Sequence, residues 1–180
     1  EMGKASLFTN IKGYKNWHAC SQIMADRKKW AIGFNMEESD ILDQMLERMN
    51  TPIAPKIITG KCPTKEIIKT GENINLYDFP TMLTSEKDGG RYFSSGIAII
   101  KDPDTGIRNL SIHRQMITGK DKTGFVMIPR QARQIYEKYC SIGEPMPVAM
   151  VYGTHPAIFF ASSFTTAFGK DELEIAGALM

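Results

Sequence analysis

Apolar and polar positions divide this chain into a punctuated first half and a strand-rich second half. Residues 5–13 read as a strand and turn. Residues 39–49 show helical spacing. Ile41, Leu42, Met45, Leu46 and Met49 make one stripe, Asp40, Asp43, Glu47 and Arg48 the wet face, and Ser39 stands at the N-cap position. Pro52, Pro55, Pro63 and Pro80, with Gly60 and Gly71, then interrupt the pattern. Such punctuation predicts extended connections, short strands and a domain boundary within 75–90.

From Ser94 the pattern changes. Two apolar runs flank Asp102-Pro103-Asp104-Thr105-Gly106, a strong turn signal, so 94–118 predicts a β-hairpin. A short strand follows at Phe125–Ile128. Pro129 opens a helix that runs to Ile142 and ends at Gly143, with Ile135, Tyr139 and Ile142 as its buried stripe. Pro147–Tyr152 reads as a strand, and a short helix or turn follows His155-Pro156. Asp171 and Glu174 have capping-box spacing, which starts a last helix. The expected fold class is α+β (mixed α/β): a small α/β lead-in over 1–90, then a domain over 91–180 dominated by antiparallel strands.

Composition narrows the function classes. A hydrophobic fraction of 42% is enough to build a core without disulfides. A formal charge of +2 leaves no polybasic field for nucleic acid, and no apolar run reaches membrane-spanning length. Cys20, Cys62 and Cys140 lie far apart and form neither a disulfide framework nor a zinc pattern. No secretory leader stands at Glu1, so a cytoplasmic protein with reduced thiols is the expectation.

Four segments could carry chemistry. Arg108-Asn109-Leu110-Ser111-Ile112-His113-Arg114-Gln115 has a heavy polar load for a strand in an apolar domain; read alone, it is an edge strand with one solvated face. Pro129-Arg130-Gln131-Ala132-Arg133 could hold a phosphate at a helix start, or simply expose two arginines. The hydroxyl run Ala161-Ser162-Ser163-Phe164-Thr165-Thr166 could bind phosphate or a monovalent cation, or be a capped turn. Asp171-Glu172-Leu173-Glu174 could do no more than complement a helix dipole.

Taken in order, these segments resemble the UbiD decarboxylases. The pattern Asn-x-Ser-Ile-x-Arg is present as Asn109 to Arg114. A Ser-Ser turn follows at Ser162-Ser163, and Glu172 precedes Ala176-Gly177. The stretch from Ala167 to Leu179 is most similar to members acting on hydroxylated benzoic acids. The resemblance implies a split β-barrel that binds prenylated FMN, and reversible decarboxylation of an aromatic acid. It implies Asn109 and Glu172 as ligands of manganese or magnesium bridging to the flavin phosphate. Ser111, Ile112 and Arg114 would line the flavin. Arg130 could reach the phosphate, and Ser162, Ser163 and the carbonyl of Phe164 would hold potassium and the phosphate end. Arg114 matches the arginine of the family's Arg-Glu-Glu catalytic network.

Two departures stand out. The third metal ligand of the family is usually histidine, and an alignment anchored on Pro145-Met146-Pro147 puts Gln131 there. The family's two catalytic glutamates lie downstream of the Glu172 position, beyond Met180. The chain therefore reads as a fragment or as one piece of a split protein. A homo-oligomer, or a partner chain carrying the C-terminal domain, is expected, with a flavin prenyltransferase as supplier of the cofactor. The other classes left open are a non-catalytic flavin-binding or assembly subunit and an FMN reductase-like split barrel. A regular strand would also send Asn109 and Arg114 to opposite faces, so if both serve one site either a bulge lies between them or the cofactor straddles the strand end.

The first prediction follows from the missing glutamates. The 180-residue chain alone, given reconstituted cofactor and a panel of hydroxybenzoic acids, should release no carbon dioxide above background. Turnover at an enzyme-like rate would place another proton donor within these residues.

Overall fold

The computed structural model describes residues 3–180. Its elements in chain order are β1 (Ser6–Phe8), β2 (Ala19–Ser21), α1 (Arg27–Phe34), α2 (Ile41–Met49), β3 (Tyr92–Lys101), β4 (Arg108–Gly119), β5 (Lys122–Phe125), α3 (Gln131–Ile142), β6 (Val148–Val151), α4 (Pro156–Ala161) and α5 (Glu172–Leu179). The fold is mixed α/β with two antiparallel sheets. One is the β1-β2 pair; the other has the order β5-β4-β3-β6 and does not close on itself among the described residues.

The β3-β4 hairpin is the spine of the larger sheet. Its turn is built by Asp102, which is 3% exposed. One carboxylate oxygen accepts from the N–H groups of Asp104 and Thr105, and the other takes Lys138 of α3 at 2.7 Å. Burial pushes this carboxyl up, but the Lys138 and backbone donors more than offset that and hold it below the usual range. Gly106 closes the turn at φ 72°, where a side chain would be strained. The same hairpin packs Ile100 against Ala132 and Ile135 of α3.

A second apolar cluster gathers Ala31 and Phe34 of α1, Ile41 and Met45 of α2, Ala157 of α4 and Leu179 of α5. Helices from both ends of the sequence thus share one core. Asp26 caps α1 by accepting from Lys29 N–H at 3.0 Å. Arg48 of α2 donates to the carbonyls of Phe34 and Asn35 at the other end of α1. α4 and α5 are capped at His155 and Asp171, whose side chains accept from Ala157 and Leu173 N–H. This cluster fixes where α5, and with it Glu172, meets β4.

Several sequence expectations change. The strand within 5–13 is only Ser6–Phe8, and the one expected at Phe125–Ile128 is Lys122–Phe125, paired with β4. Residue Asp40, not Ser39, precedes α2, and it makes no side-chain cap bond. Leu42 and Leu46 are 52% and 60% exposed, because Ile41, Met45 and Met49 make the face turned to the core. Ile142 is 58% exposed. Tyr139 already reaches the carbonyl of Lys101, the last residue of β3, so the final turn of α3 runs past the sheet. Helix α1 was not legible, since Trp30, Ala31 and Phe34 follow three basic residues with little periodicity.

Gly177 of α5 lies against the backbone of Ile53. A Cβ there would sit 2.3 Å from the Ile53 carbonyl oxygen, while Ile53 N–H donates to Glu174 O at 3.0 Å. Gly177→Ala should therefore destabilise the fold by about 1–3 kcal/mol, the usual cost of overpacking. Urea unfolding of both proteins checks this, and equal midpoints would show that the contact yields freely.

Candidate functional site

The hairpin, the start of α3 and the start of α5 bring three side chains together. Asn109 comes from β4, Gln131 is the first residue of α3, and Glu172 is the first residue of α5. Asn109 Nδ2 donates to Gln131 Oε1 at 2.8 Å and to Glu172 Oε1 at 3.1 Å. The other carboxylate oxygen, Glu172 Oε2, accepts the backbone N–H of Leu110 at 2.9 Å. Thr166 closes the set: its hydroxyl donates to Glu172 Oε1 at 2.9 Å, and its carbonyl accepts from Gln131 Nε2 at 2.7 Å. Gln131 and Glu172, 22 and 63 positions from Asn109 along the chain, thus share one small volume with it.

Glu172 is 1% exposed. Burial raises its carboxyl above the ordinary range, and the donors from Leu110, Thr166 and Asn109 oppose this only in part. The site is also one acceptor short of satisfied: Asn109 Oδ1 is buried with no hydrogen-bond partner. Buried carbonyl oxygens nearly always have one. The Asn109 amide nitrogen lies between two oxygens, and a half-turn of the amide would set its own oxygen in that place. Three neutral or anionic oxygens would then face one point, the donor set a hard divalent cation prefers. One carboxylate balances only half of a divalent charge. Among the described residues, no group of three His, Cys, Asp or Glu side chains offers a different metal site.

A small cleft opens beside Asn109 and Gln131, walled by Arg108, Phe168, Gly169 and Lys170. Arg108 directs Nε and an η nitrogen at Asp171 Oδ2, both at 2.7 Å, while Asp171 Oδ1 caps α5. This ion pair clamps the N-terminus of α5 to β4, next to Glu172.

The remaining sequence candidates are placed as follows. Strand β4 pairs with β3 without interruption from Arg108 to His113. The irregularity lies on β3, where Ser94 and Ser95 stand opposite Arg114, between the pairs Gly96↔His113 and Phe93↔Gln115. No bulge separates Asn109 from Arg114 on β4, so Asn109, Ser111 and His113 share one face and Ile112 and the exposed Arg114 the other. Arg130 is exposed at the start of α3 and makes no side-chain cap bond. Ser162 and Ser163 both donate to the carbonyl of Phe159, at 2.7 and 3.1 Å, and Phe164 is 42% exposed. Further up the Asn109 face, burial pushes the Tyr152 hydroxyl to about 12. It remains a donor and gives its proton to buried Gln115 Oε1.

Residues that sequence reasoning missed are Thr166 and the Arg108–Asp171 pair. The hydroxyl run held a signal for Thr166, but nothing local tied it to Glu172.

A pH test follows from the buried carboxyl. Because the folded-state pKa of Glu172 is raised, the native chain holds a proton that the unfolded chain releases from about pH 4.3 upward. Its contribution to stability therefore falls as pH rises through that window to the folded value. In buffer free of divalent ions, raising the pH should shift Tm against the wild type relative to Glu172→Gln. A difference that does not move with pH would show the carboxylate to be at no cost in its position.

Residues 56–180 match the family described as UbiD, the 3-octaprenyl-4-hydroxybenzoate carboxy-lyase Rift-related domain. The pyrrole-2-carboxylic acid decarboxylase of Pseudomonas aeruginosa is 31% identical over 191 aligned positions, covering 98% of this chain and 38% of that protein. The gallate decarboxylase of Lactiplantibacillus plantarum is 27% identical, again covering 98% and 38%. Among solved structures, the UbiD-class enzyme HmfF from Pelotomaculum thermopropionicum, in complex with prFMN, superposes with a TM-score of 0.91 at 34% identity. That match covers 98% of this chain and 41% of HmfF. The chain thus spans less than half the length of these relatives. With a match over 56–180 and a 31% identical relative along nearly its full length, this chain belongs to the UbiD family.

Proposed function

We propose that this chain supplies the flavin- and metal-binding part of a prenylated-FMN-dependent reversible decarboxylase of aromatic acids, with hydroxylated benzoic acids as its class. The observation that carries the reading is the meeting of Gln131 and Glu172 oxygens at the Asn109 amide nitrogen, while the oxygen of that same amide is buried without a partner. Relatives that decarboxylate gallate and pyrrole-2-carboxylate, and a prFMN-bound structure of the same fold, support it.

In this reading Asn109, Gln131 and Glu172 hold manganese or magnesium, and the ion carries the flavin phosphate. The basic residues at the cleft, with Arg130, add to the phosphate's attraction. Ser162, Ser163 and the Phe164 carbonyl provide oxygens for potassium once the two hydroxyls turn from Phe159. Ser111, Ile112 and Arg114 lie along the flavin, with the open sheet of 91–180 forming part of a split β-barrel behind the α/β region of 1–90. When bound, the prenylated flavin supplies the electron sink for loss of carbon dioxide. Arg114, exposed and unencumbered by the core, orients the acid's carboxylate through a charge-assisted pair. The two faces of β4 that carry Asn109 and Arg114 are both used if the cofactor straddles the strand. The rest of the active protein, in the same polypeptide or in a partner chain, brings the glutamates, and a flavin prenyltransferase provides the cofactor.

Gln131 gives the most direct test. A histidine ligand must be neutral, so its affinity for metal falls as acid protonates it, near an ordinary pKa of about 6.5. A glutamine carbonyl does not titrate. Manganese binding by the FMN-loaded wild type should be weak and flat across that range. Gln131→His should bind more tightly at neutral pH and lose the gain in acid. Calorimetric titration at two pH values decides the point. Identical affinity and pH dependence in both proteins would put residue 131 outside the metal shell.

A further inference from the structure

On the face of β4 that carries Asn109, Ser111 and His113 stand two residues apart. Ser111 Oγ lies 2.8 Å from His113 Nε2, and His113 Nδ1 lies 3.1 Å from the carbonyl oxygen of Val126. The imidazole stacks on Phe125 with centroids 4.2 Å apart and planes at 27°. These contacts hold the ring from both edges and one side.

Donor and acceptor chemistry then determines where the protons are. A carbonyl oxygen only accepts, so Nδ1 carries hydrogen. Burial lowers the ring's pKa, and the Val126 carbonyl opposes it only in part, with no charged group among the causes. Its neighbours across the strands are Gly96 on β3 and Phe125 and Val126 on the other side, while Arg114 points to the opposite face. The ring is therefore neutral at neutral pH, and Nε2 is an acceptor. The single hydroxyl proton of Ser111 goes to it, which leaves only lone pairs on the open side of the serine oxygen.

We propose that His113 is a positioning residue that holds Ser111 as an acceptor only, so that the ligand group facing Ser111 must be a hydrogen-bond donor. The proposal rests on the reading that Ser111 lines the flavin site. On FMN the donors are the ribityl hydroxyls and the ring N–H; phosphate oxygens and ring carbonyls are rejected at this position. Acid reverses the polarity. Once Nε2 is protonated it donates to Ser111, which uses one of the two serine lone pairs and turns the serine's own proton outward, so the open side no longer presents lone pairs alone.

Two measurements on the whole chain test this. The first needs no ligand: long-range proton–nitrogen NMR of the imidazoles should show His113 with hydrogen on Nδ1 and a bare Nε2. The reverse tautomer overturns the proposal, even if FMN binds. The second is fluorescence titration with FMN. Ser111→Ala and His113→Phe, which keeps a stacked ring but cannot accept, should each weaken binding about fivefold, the weight of one net hydrogen bond. The double variant should be no weaker than either single one. His113→Gln can accept from Ser111 and donate to Val126, so it should restore affinity, and without the wild type's loss in acid. Additive losses, or His113→Phe binding like wild type, overturn the proposal. A wild type with the stated tautomer that does not bind FMN would instead overturn the flavin-site reading, and with it the ligand half of the proposal.

Discussion

The buried carboxylate of Glu172 is the contact on which the rest of the site depends. It joins the start of α5 to β4 through the Leu110 N–H and to the loop before α5 through the Thr166 hydroxyl. A carboxylate at 1% exposure is costly unless every lone pair is used or its charge is matched. The protein meets that cost with three kinds of donor: backbone N–H, hydroxyl and amide. The positive end of α5 adds to them. What remains unmatched, a raised carboxyl pKa and an unpartnered Asn109 oxygen, is the condition a cation would relieve.

That arrangement is rigid because its supports lie elsewhere. The α5 helix is held by the apolar cluster with α1, α2 and α4, by the Gly177–Ile53 backbone contact and by the Arg108–Asp171 pair. The α3 helix is held by Ile100, Ala132 and Ile135, and by Lys138 on the turn aspartate Asp102. Gln131 and Glu172 therefore sit at the first positions of their helices and Asn109 inside a paired strand, where small movements of the chain are resisted. Sites on such elements keep their geometry better than sites on loops.

The two faces of β4 divide the proposed work. The face with Asn109, Ser111 and His113 is polar, partly covered and rich in directed hydrogen bonds. The face with Arg114 is open to solvent at that position. Because the irregularity is on β3 and not on β4, the strand keeps its alternation, and a ligand must reach both faces to use both sets of residues.

By itself the sequence determined the local elements and the family pattern. The turn at Asp102–Gly106, the Pro129 start and Gly143 stop of a helix, and the cap at Asp171 follow from backbone preferences that need no distant partner. The family pattern through Asn109, Ser111, Arg114, Ser162, Ser163 and Glu172 was legible because order and spacing are carried by the chain. Tertiary structure alone decided which of them meet. Nothing near residue 166 says that its hydroxyl will reach Glu172, and nothing near residue 113 says that its ring will meet the Val126 carbonyl. Periodicity marked Ile142, Leu42 and Leu46 as core, yet burial depends on what lies opposite, and the sheet and helices end before covering them. Local rules act over a few residues through torsion and capping; contacts across 63 residues exist only once the hydrophobic clusters have brought α5 to β4.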